Sequence, residues 1–217
     1  PGRARMQAQA LPLAWLNPLL PASLQLHGTV ETAVDARFDA KRPIDASANF
    51  TSTAASVTRT HGGEALDIER GSGLLTLNDQ GLRAKLDIVL AREDVLGVDV
   101  TLPRFSTTAA AGAEQPLTGR VRARLASLGR IGMFLPDLEI PRGQLDIDYQ
   151  IAGTLANPTL RGAATLSDAS ANVPALGIRV RKVRLHASAD GGRALRLDGG
   201  LSSGPGDATL TGDVTFD

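Results

Sequence analysis

Serines, histidines, carboxylates and clustered cations are the residues from which a site could be built, and this 217-residue chain offers four groupings of them. Gly200-Leu201-Ser202-Ser203-Gly204 fits G-x-S-x-G, the pattern in which a strained strand-to-helix turn exposes a nucleophilic serine. That chemistry needs a helix after the serine and an acid and a histidine downstream. Here Pro205-Gly206 and another strand-like stretch follow, and no histidine lies beyond His186, so the segment reads as a Gly/Ser turn. His61-Gly62-Gly63-Glu64 sets an imidazole near a carboxylate, but a metal site needs three or four ligands, and His27 and His186 are remote in sequence. The runs Arg179, Arg181, Lys182, Arg184 and Arg120, Arg122, Arg124 carry the charge to receive phosphate head groups. Cations that alternate with apolar residues read instead as the wet side of a sheet. The expectation is therefore a protein that is not an enzyme and uses no metal or cofactor.

Composition narrows the function further. Lys plus Arg equals Asp plus Glu at 23 each, so no net field draws the chain to nucleic acid or to an anionic surface. Aromatic residues are 3%, with one Trp and one Tyr, so the apolar surface has to be aliphatic. The absence of Cys removes disulfides, zinc-thiolate sites and thiol nucleophiles together, and leaves the compartment open. No run of about 20 apolar residues is present. The start Pro1-Gly2-Arg3 carries neither an initiator Met nor a signal-peptide pattern, which reads as a piece of a longer protein.

The elements that must carry these residues are strands. Val30, Thr32, Val34, Ala36 and Phe38 alternate with Glu31, Asp35, Arg37 and Asp39, and Leu82 to Leu90 alternates with Arg83, Lys85 and Asp87. Val121, Ala123 and Leu125 oppose Arg120, Arg122 and Arg124; Leu145, Ile147, Tyr149 and Ile151 oppose Gln144, Asp146, Asp148 and Gln150. Period two marks half-buried strands, about a dozen in all. Gly falls largely between them, where tight turns belong. Between Ile178-Val180 and Val183-Leu185 the phase slips by one residue, which predicts a β-bulge at Arg181-Lys182. Leu11 to Leu20 and Ala126 to Leu135 break the alternation and read as short helices or irregular caps. Leu20-Pro21 with Gly28 and Leu135-Pro136 with Gly143 stand 115 positions apart in each case, a faint repeat. The expected organisation is a tail over residues 1–10, a first β-groove module over 11–125 and a second, continuous with it, over 126–217.

Residues from about Phe134 to Phe216 carry a series of turn motifs. Leu135-Pro136 leads to Gly143-Gln144-Leu145, then to Gly153-Thr154-Leu155-Ala156-Asn157-Pro158 with Gly162, Pro174-Ala175-Leu176-Gly177, Leu195-Arg196-Leu197-Asp198-Gly199 and Ser203-Gly204-Pro205-Gly206. This series resembles the C-terminal region of the TamB family, the inner-membrane-anchored part of the translocation and assembly module, and of AsmA-like proteins. The resemblance implies an all-β fold: an elongated, curled, antiparallel-rich sheet with a taco-like apolar groove and two short caps. It also implies a periplasmic place in a Gram-negative bacterium, an inner-membrane anchor outside this segment, and a BamA-family outer-membrane barrel, TamA, as partner. Phospholipid transport between the membranes and outer-membrane protein assembly are the activities it implies.

Physical chemistry makes lipid carriage reasonable on such a sheet. About a dozen strands at ~4.8 Å spacing extend some 55 to 60 Å. A 16-carbon acyl chain crossing water bare is opposed by about 13 kcal/mol, which a continuous apolar wall would largely remove. The residues expected to line it are Leu86, Ile88, Leu90, Val98, Val100, Val121, Leu125, Leu145, Ile147, Tyr149, Ile151, Ile178 and Val180. Two rivals use the same pattern differently. A scaffold would offer its sheet edge to client β-strands, and a closed sandwich or solenoid would hide the aliphatic face as core. Aromatic girdles, the mark of a transmembrane barrel, are absent.

Overall fold

A computed structural model describes residues 2–39, 42–60, 65–90, 93–105, 112–130, 132 and 139–215. The described residues form one antiparallel sheet of 14 strands. In chain order these are β1 (Gly2–Pro12), β2 (Leu24–Asp39), β3 (Arg42–Ser52), β4 (Ala55–Arg59), β5 (Ala65–Ile68), β6 (Arg70–Asn78), β7 (Gly81–Val89), β8 (Val95–Pro103), β9 (Thr118–Leu125), β10 (Glu139–Gly153), β11 (Pro158–Val173), β12 (Ile178–Asp190), β13 (Ala194–Ser203) and β14 (Gly206–Thr215). From β6 to β14 every strand pairs with the next in sequence, an uninterrupted meander. Residues 2–10, outside the two modules expected from the sequence, form β1 together with Leu11 and Pro12 and pair with β2.

Pairing register reduces the 14 strands to 12 ranks. Glu31 of β2 faces Thr51 of β3, and Gly28 faces Ala55 of β4, so β4 carries β3 onward along the same edge of β2 after a one-residue irregularity. Likewise Gly71 of β6 faces Ser52 and Ile68 of β5 faces Ala55, so β5 and β6 form one line against β3 and β4. Among the described residues the outermost strands are thus β1 and β14.

Bulges bend this sheet. The register of β12 skips one residue near Lys182 (φ 52), where the phase slip in the sequence predicts it. Further bulges fall at Asp168 (φ 48) in β11 and at Ala10 (φ 54) in β1. An extra residue on one strand sharpens local twist and curves a sheet. The two segments expected to be caps contain short 3-10 helices, Leu13–Leu19 and Leu128–Arg130. Positions 131 and 133–138 of the second segment lie outside the described residues.

No second layer covers the sheet among the described residues. Substantial packing runs only between sheet neighbours, apart from the first 3-10 helix on β2 and the second on β10. Accessible area is 13958 Å², roughly half as much again as the ~9,500 Å² of a compact monomer of this mass. Among the described residues no large side chain is fully buried. The closed-sandwich rival is not the architecture found.

The outer face is laced by cross-strand ion pairs: Arg83–Asp99, Arg120–Asp148, Arg124–Asp146 and, on the edge strand, Arg3 and Arg5 with Asp35. Exposed pairs add little stability singly; what they do is oppose a register slip, which would set like charges together. The Arg3 and Arg5 guanidiniums, by hydrogen-bonding Asp35, hold its carboxyl at about 2. A depressed carboxyl stabilises the fold above its unfolded pKa of about 3.9, and the contribution is lost as pH falls through the folded value. Amide exchange in β1 is therefore expected to lose protection selectively between pH 4 and 2, with β6, which carries no carboxylate, unchanged. Equal loss in both strands would exclude the Asp35 clip as the cause.

Candidate functional site

Residues that face one another across an antiparallel pair project on the same side of the sheet, so the registers define one continuous surface. At the level of Tyr149 it runs from Ala189 and Gly162 through Tyr149, Val121, Val98, Leu86, Gly73, Phe50 and Thr32 to Ala8. One level along, it runs Leu197, Ala187, Ala164, Ile147, Ala123, Leu96, Ile88. On the other side of Tyr149 come Leu160, Ile151, Gly119, Val100, Ala84, Leu75, Ala48, Val34 and Met6. Thr32 and the Tyr149 hydroxyl are the polar groups in these three rows. The residues between them in sequence, Asp146, Asp148, Arg120, Arg122, Lys85 and Asp99, belong to the opposite side.

The structure places the thirteen residues singled out in the sequence on this one face. Leu86, Ile88, Val98, Val100, Val121, Leu125, Leu145, Ile147, Tyr149 and Ile151 share rows directly. Leu90 packs against the Leu125–Leu128–Ala169 cluster. Val180 and Ile178 pair with Ala171 and Val173, which stand two and four positions from Ala169 along β11 and so face the same way. Most of the thirteen are half-buried; Leu86 and Ile178 are each 42% exposed, and Leu125 is 8% exposed. The sequence reading missed Leu75, Phe50, Leu96, Leu160 and Leu166 as members. Their strands carry Gly, Ala, Ser or Thr between the large residues, which blurs the alternation.

One rim of the face is closed by the second cap. Leu128 of the 3-10 helix Leu128–Arg130 forms a buried cluster with Leu125 and Ala169, against which Leu145, Leu166 and Val183 pack. Asp94, almost fully buried, fixes this cap by accepting the Ala126 amide N–H at 2.5 Å, with Arg130 Nη1 3.6 Å away. Between the cap and β5 the short β7–β8 hairpin leaves a notch in the rim, lined by Leu66, Leu90, Asp67, Glu69, Glu93 and Asp94. Near the middle of the face, Tyr149 spans β11: its hydroxyl donates to the Ala187 carbonyl oxygen of β12 at 2.7 Å. Burial pushes that phenol above its ordinary value, so it remains a donor at neutral pH.

The groupings that could have done chemistry are arranged otherwise. Ser202 lies in β13, followed by a tight turn at Gly204 and by β14, with no helix, and its hydroxyl donates to Asp207 at 2.6 Å. A nucleophile elbow is absent there. His27 bonds Thr58 and His186 bonds Thr165 across neighbouring strands, and His61-Gly62-Gly63-Glu64 lies outside the described residues. Among the described residues no three His, Asp or Glu are placed to hold a metal ion, and no helix is long and apolar enough to cross a membrane.

A family model described as TamB, N-terminal domain, matches residues 1–166. No curated protein and no solved structure matches the chain. The match corrects the position expected from the sequence, which set residues from about 134 to 216 against the C-terminal region, whereas the N-terminal domain model runs through residue 166. The motifs behind that expectation are turns, and in a meander the same Gly and Asn-Pro punctuation recurs at every hairpin, so it identifies the repeat without locating it.

Proposed function

The chain belongs to the TamB family, and from that membership we propose that it is a periplasmic β-groove segment that shelters phospholipid acyl chains between the inner and outer membranes. The observation that carries the reading is the uncovered aliphatic face, continuous over ten ranks, in a single-layer sheet. An acyl chain laid there removes apolar area from water on both partners, at about 25 cal/mol per Å². The wall presents few polar atoms that would require partners. Such a groove needs continuity rather than a pocket, which is why the reading assigns no catalytic residue and treats the protein as a carrier rather than an enzyme.

The same reading places the anchor in the inner membrane of a Gram-negative bacterium, outside this segment, and TamA, a BamA-family barrel, at the outer membrane. It takes residues 11–125 and 126–217 as two consecutive modules. Support comes from Gly28 and Gly143, the paired positions of the sequence repeat: both have positive φ, 112° and 145°, and each follows a capping 3-10 helix. A Cβ there would sit 2.5 Å from the Ala54 carbonyl oxygen or 2.8 Å from Ala169 Cβ, so both positions require glycine.

A second reading rests on β14, paired on one side only among the described residues. There the segment would template client β-strands by edge pairing. Photo-crosslinking in cells separates the two. With the photoreactive residue at Ile147, phospholipid adducts are expected; at Asp148, the next residue and on the other face, few. Equal labelling at both, or none at any apolar position, would sink the groove. Adducts with unfolded barrel proteins confined to β14 would favour the template.

A further inference from the structure

From Pro174 to Ala189 the chain has no acidic residue but carries Arg179, Arg181, Lys182 and Arg184, a local excess of four positive charges in a protein of zero net charge. This segment is the tip of the β11–β12 hairpin and most of β12. The tip turns through the 3-10 helix Pro174–Leu176 and Gly177, whose φ of 61° is left-handed. No atom lies within 4 Å of where a Gly177 Cβ would be, so the turn projects into open space.

Several cations elsewhere on the outer face are neutralised across strands, as Arg83, Arg120 and Arg124 are by Asp99, Asp148 and Asp146. Those of β12 are not. Arg179 Nε donates to the Asn172 amide oxygen at 3.1 Å and Arg181 Nη2 to the Gly204 carbonyl oxygen at 3.5 Å, neutral acceptors that orient the guanidiniums and leave their charge uncompensated. Among the described side chains no ion pair joins a carboxylate to any of the four. Of the nearby acids, Asp207 accepts the Ser202 hydroxyl, Asp198 faces His186, and Asp168, beside the Ala169 that faces Val183, forms no ion pair with the four among the described residues. Arg142 of β10, opposite Ser170, adds a fifth cation on this side.

Beside these charges the tip is apolar and bare. Pro174 and Ala175 are exposed, and Ile178, 42% exposed, points to the face opposite Arg179. Apolar side chains at a projecting end with a collar of unpaired cations behind them match an interface in which the first enter the acyl boundary and the second meet phosphate diesters. We propose that the β11–β12 tip docks on an anionic phospholipid bilayer. The inference goes beyond acyl sheltering in the groove and stands or falls separately from it.

The test is sedimentation of the 217-residue chain with vesicles of phosphatidylcholine alone or with added phosphatidylglycerol. Binding is expected only with the anionic lipid, to fall by about tenfold or more in the R179Q/R181Q/K182Q/R184Q variant, and to weaken in Ile178→Ser. A charge-matched control, R70Q/R104Q/R122Q/R193Q, changes net charge equally at other exposed sites and should bind as the parent does. Equal loss in the two quadruple variants, or no binding to phosphatidylglycerol, overturns the proposal. So does full competition by soluble glycerol phosphate at the same phosphate concentration, which would make the site one for a single phosphate. Circular dichroism of each variant excludes unfolding as the cause of a loss. Because acyl sheltering is read at Ile147, either result can fail without the other.

Discussion

Ile147→Arg is expected to abolish phospholipid adducts read from a photoreactive residue at Val98, two strands along the sheet, while the variant melts within a few degrees of the parent. Ile147 is half-buried, its cross-strand partners are Ala123 and Ala164, and no second layer lies over it among the described residues. An arginine there can lay its aliphatic stem along the face and hold its guanidinium in water, so the fold loses little. An acyl chain crossing the same place would have to strip that charge of water without offering it a hydrogen bond, which costs several kcal/mol. Adducts should therefore fall by about tenfold or more. In a closed core the order of effects reverses, since an unpaired buried charge costs about 3–5 kcal/mol of stability and would unfold a domain of marginal stability. Ile147→Leu serves as the control that keeps the face apolar. Unfolding of the arginine variant, or adducts unchanged, would remove the groove as the explanation.

That the face exists was legible from period two alone. Val121 to Leu125 and Leu145 to Ile151 alternate cleanly, and each sequence-selected residue falls on the surface that the registers define. Whether the face is covered was not legible, because a strand against a core and a strand lining a groove bury the same alternate residues. Bulges were readable only where large residues frame them. Val180 and Val183 reveal the slip at Lys182, whereas Leu166 to Ala169 and Ala8 to Leu11 conceal slips behind alanines, which fit either side. The joining of β3 to β4 and of β5 to β6 into single ranks depends on pairing partners 13 to 27 residues away, for which local pattern carries no signal.

The exposed cations follow the same division. As sequence, Arg120-Val121-Arg122 and Arg179-Val180-Arg181 look alike, one cation at every second position. What separates them is the neighbouring strand. β10 sets Asp146 and Asp148 against the first group, and β11 and β13 set Asn172 and Ser202 against the second. A charge on a sheet takes its meaning from the partner across the ladder, so an identical local pattern is a register device in one place and a docking collar in the other.

Gly162→Ala is expected to be the most destabilising of the single-methyl changes on the apolar face, at about 3 kcal/mol, read as a lowered urea midpoint. Gly162 has φ 134°, in the region L side chains rarely adopt, and its Cβ would lie 2.1 Å from the Asp148 carbonyl oxygen and 3.1 Å from Tyr149 Cα. Those atoms are the backbone of β10, the strand to which it is paired, so relief requires moving β10 away from β11. The strained backbone accounts for about 1–3 kcal/mol. Moving the strand also displaces Tyr149, whose ring crosses β11 to reach the Ala187 carbonyl, and loss of that hydrogen bond adds about 1 kcal/mol. Tyr149→Phe alone should therefore cost about 1 kcal/mol. The coupling is the sharper test, because if the glycine seats the ring, Tyr149→Phe adds almost nothing once Gly162→Ala is present. Strictly additive losses would mean that strand spacing and ring placement are independent. A non-additive result would show that the bare backbone at Gly162 allows one side chain to tie three strands together from the groove side, in a sheet that has no second layer to do so.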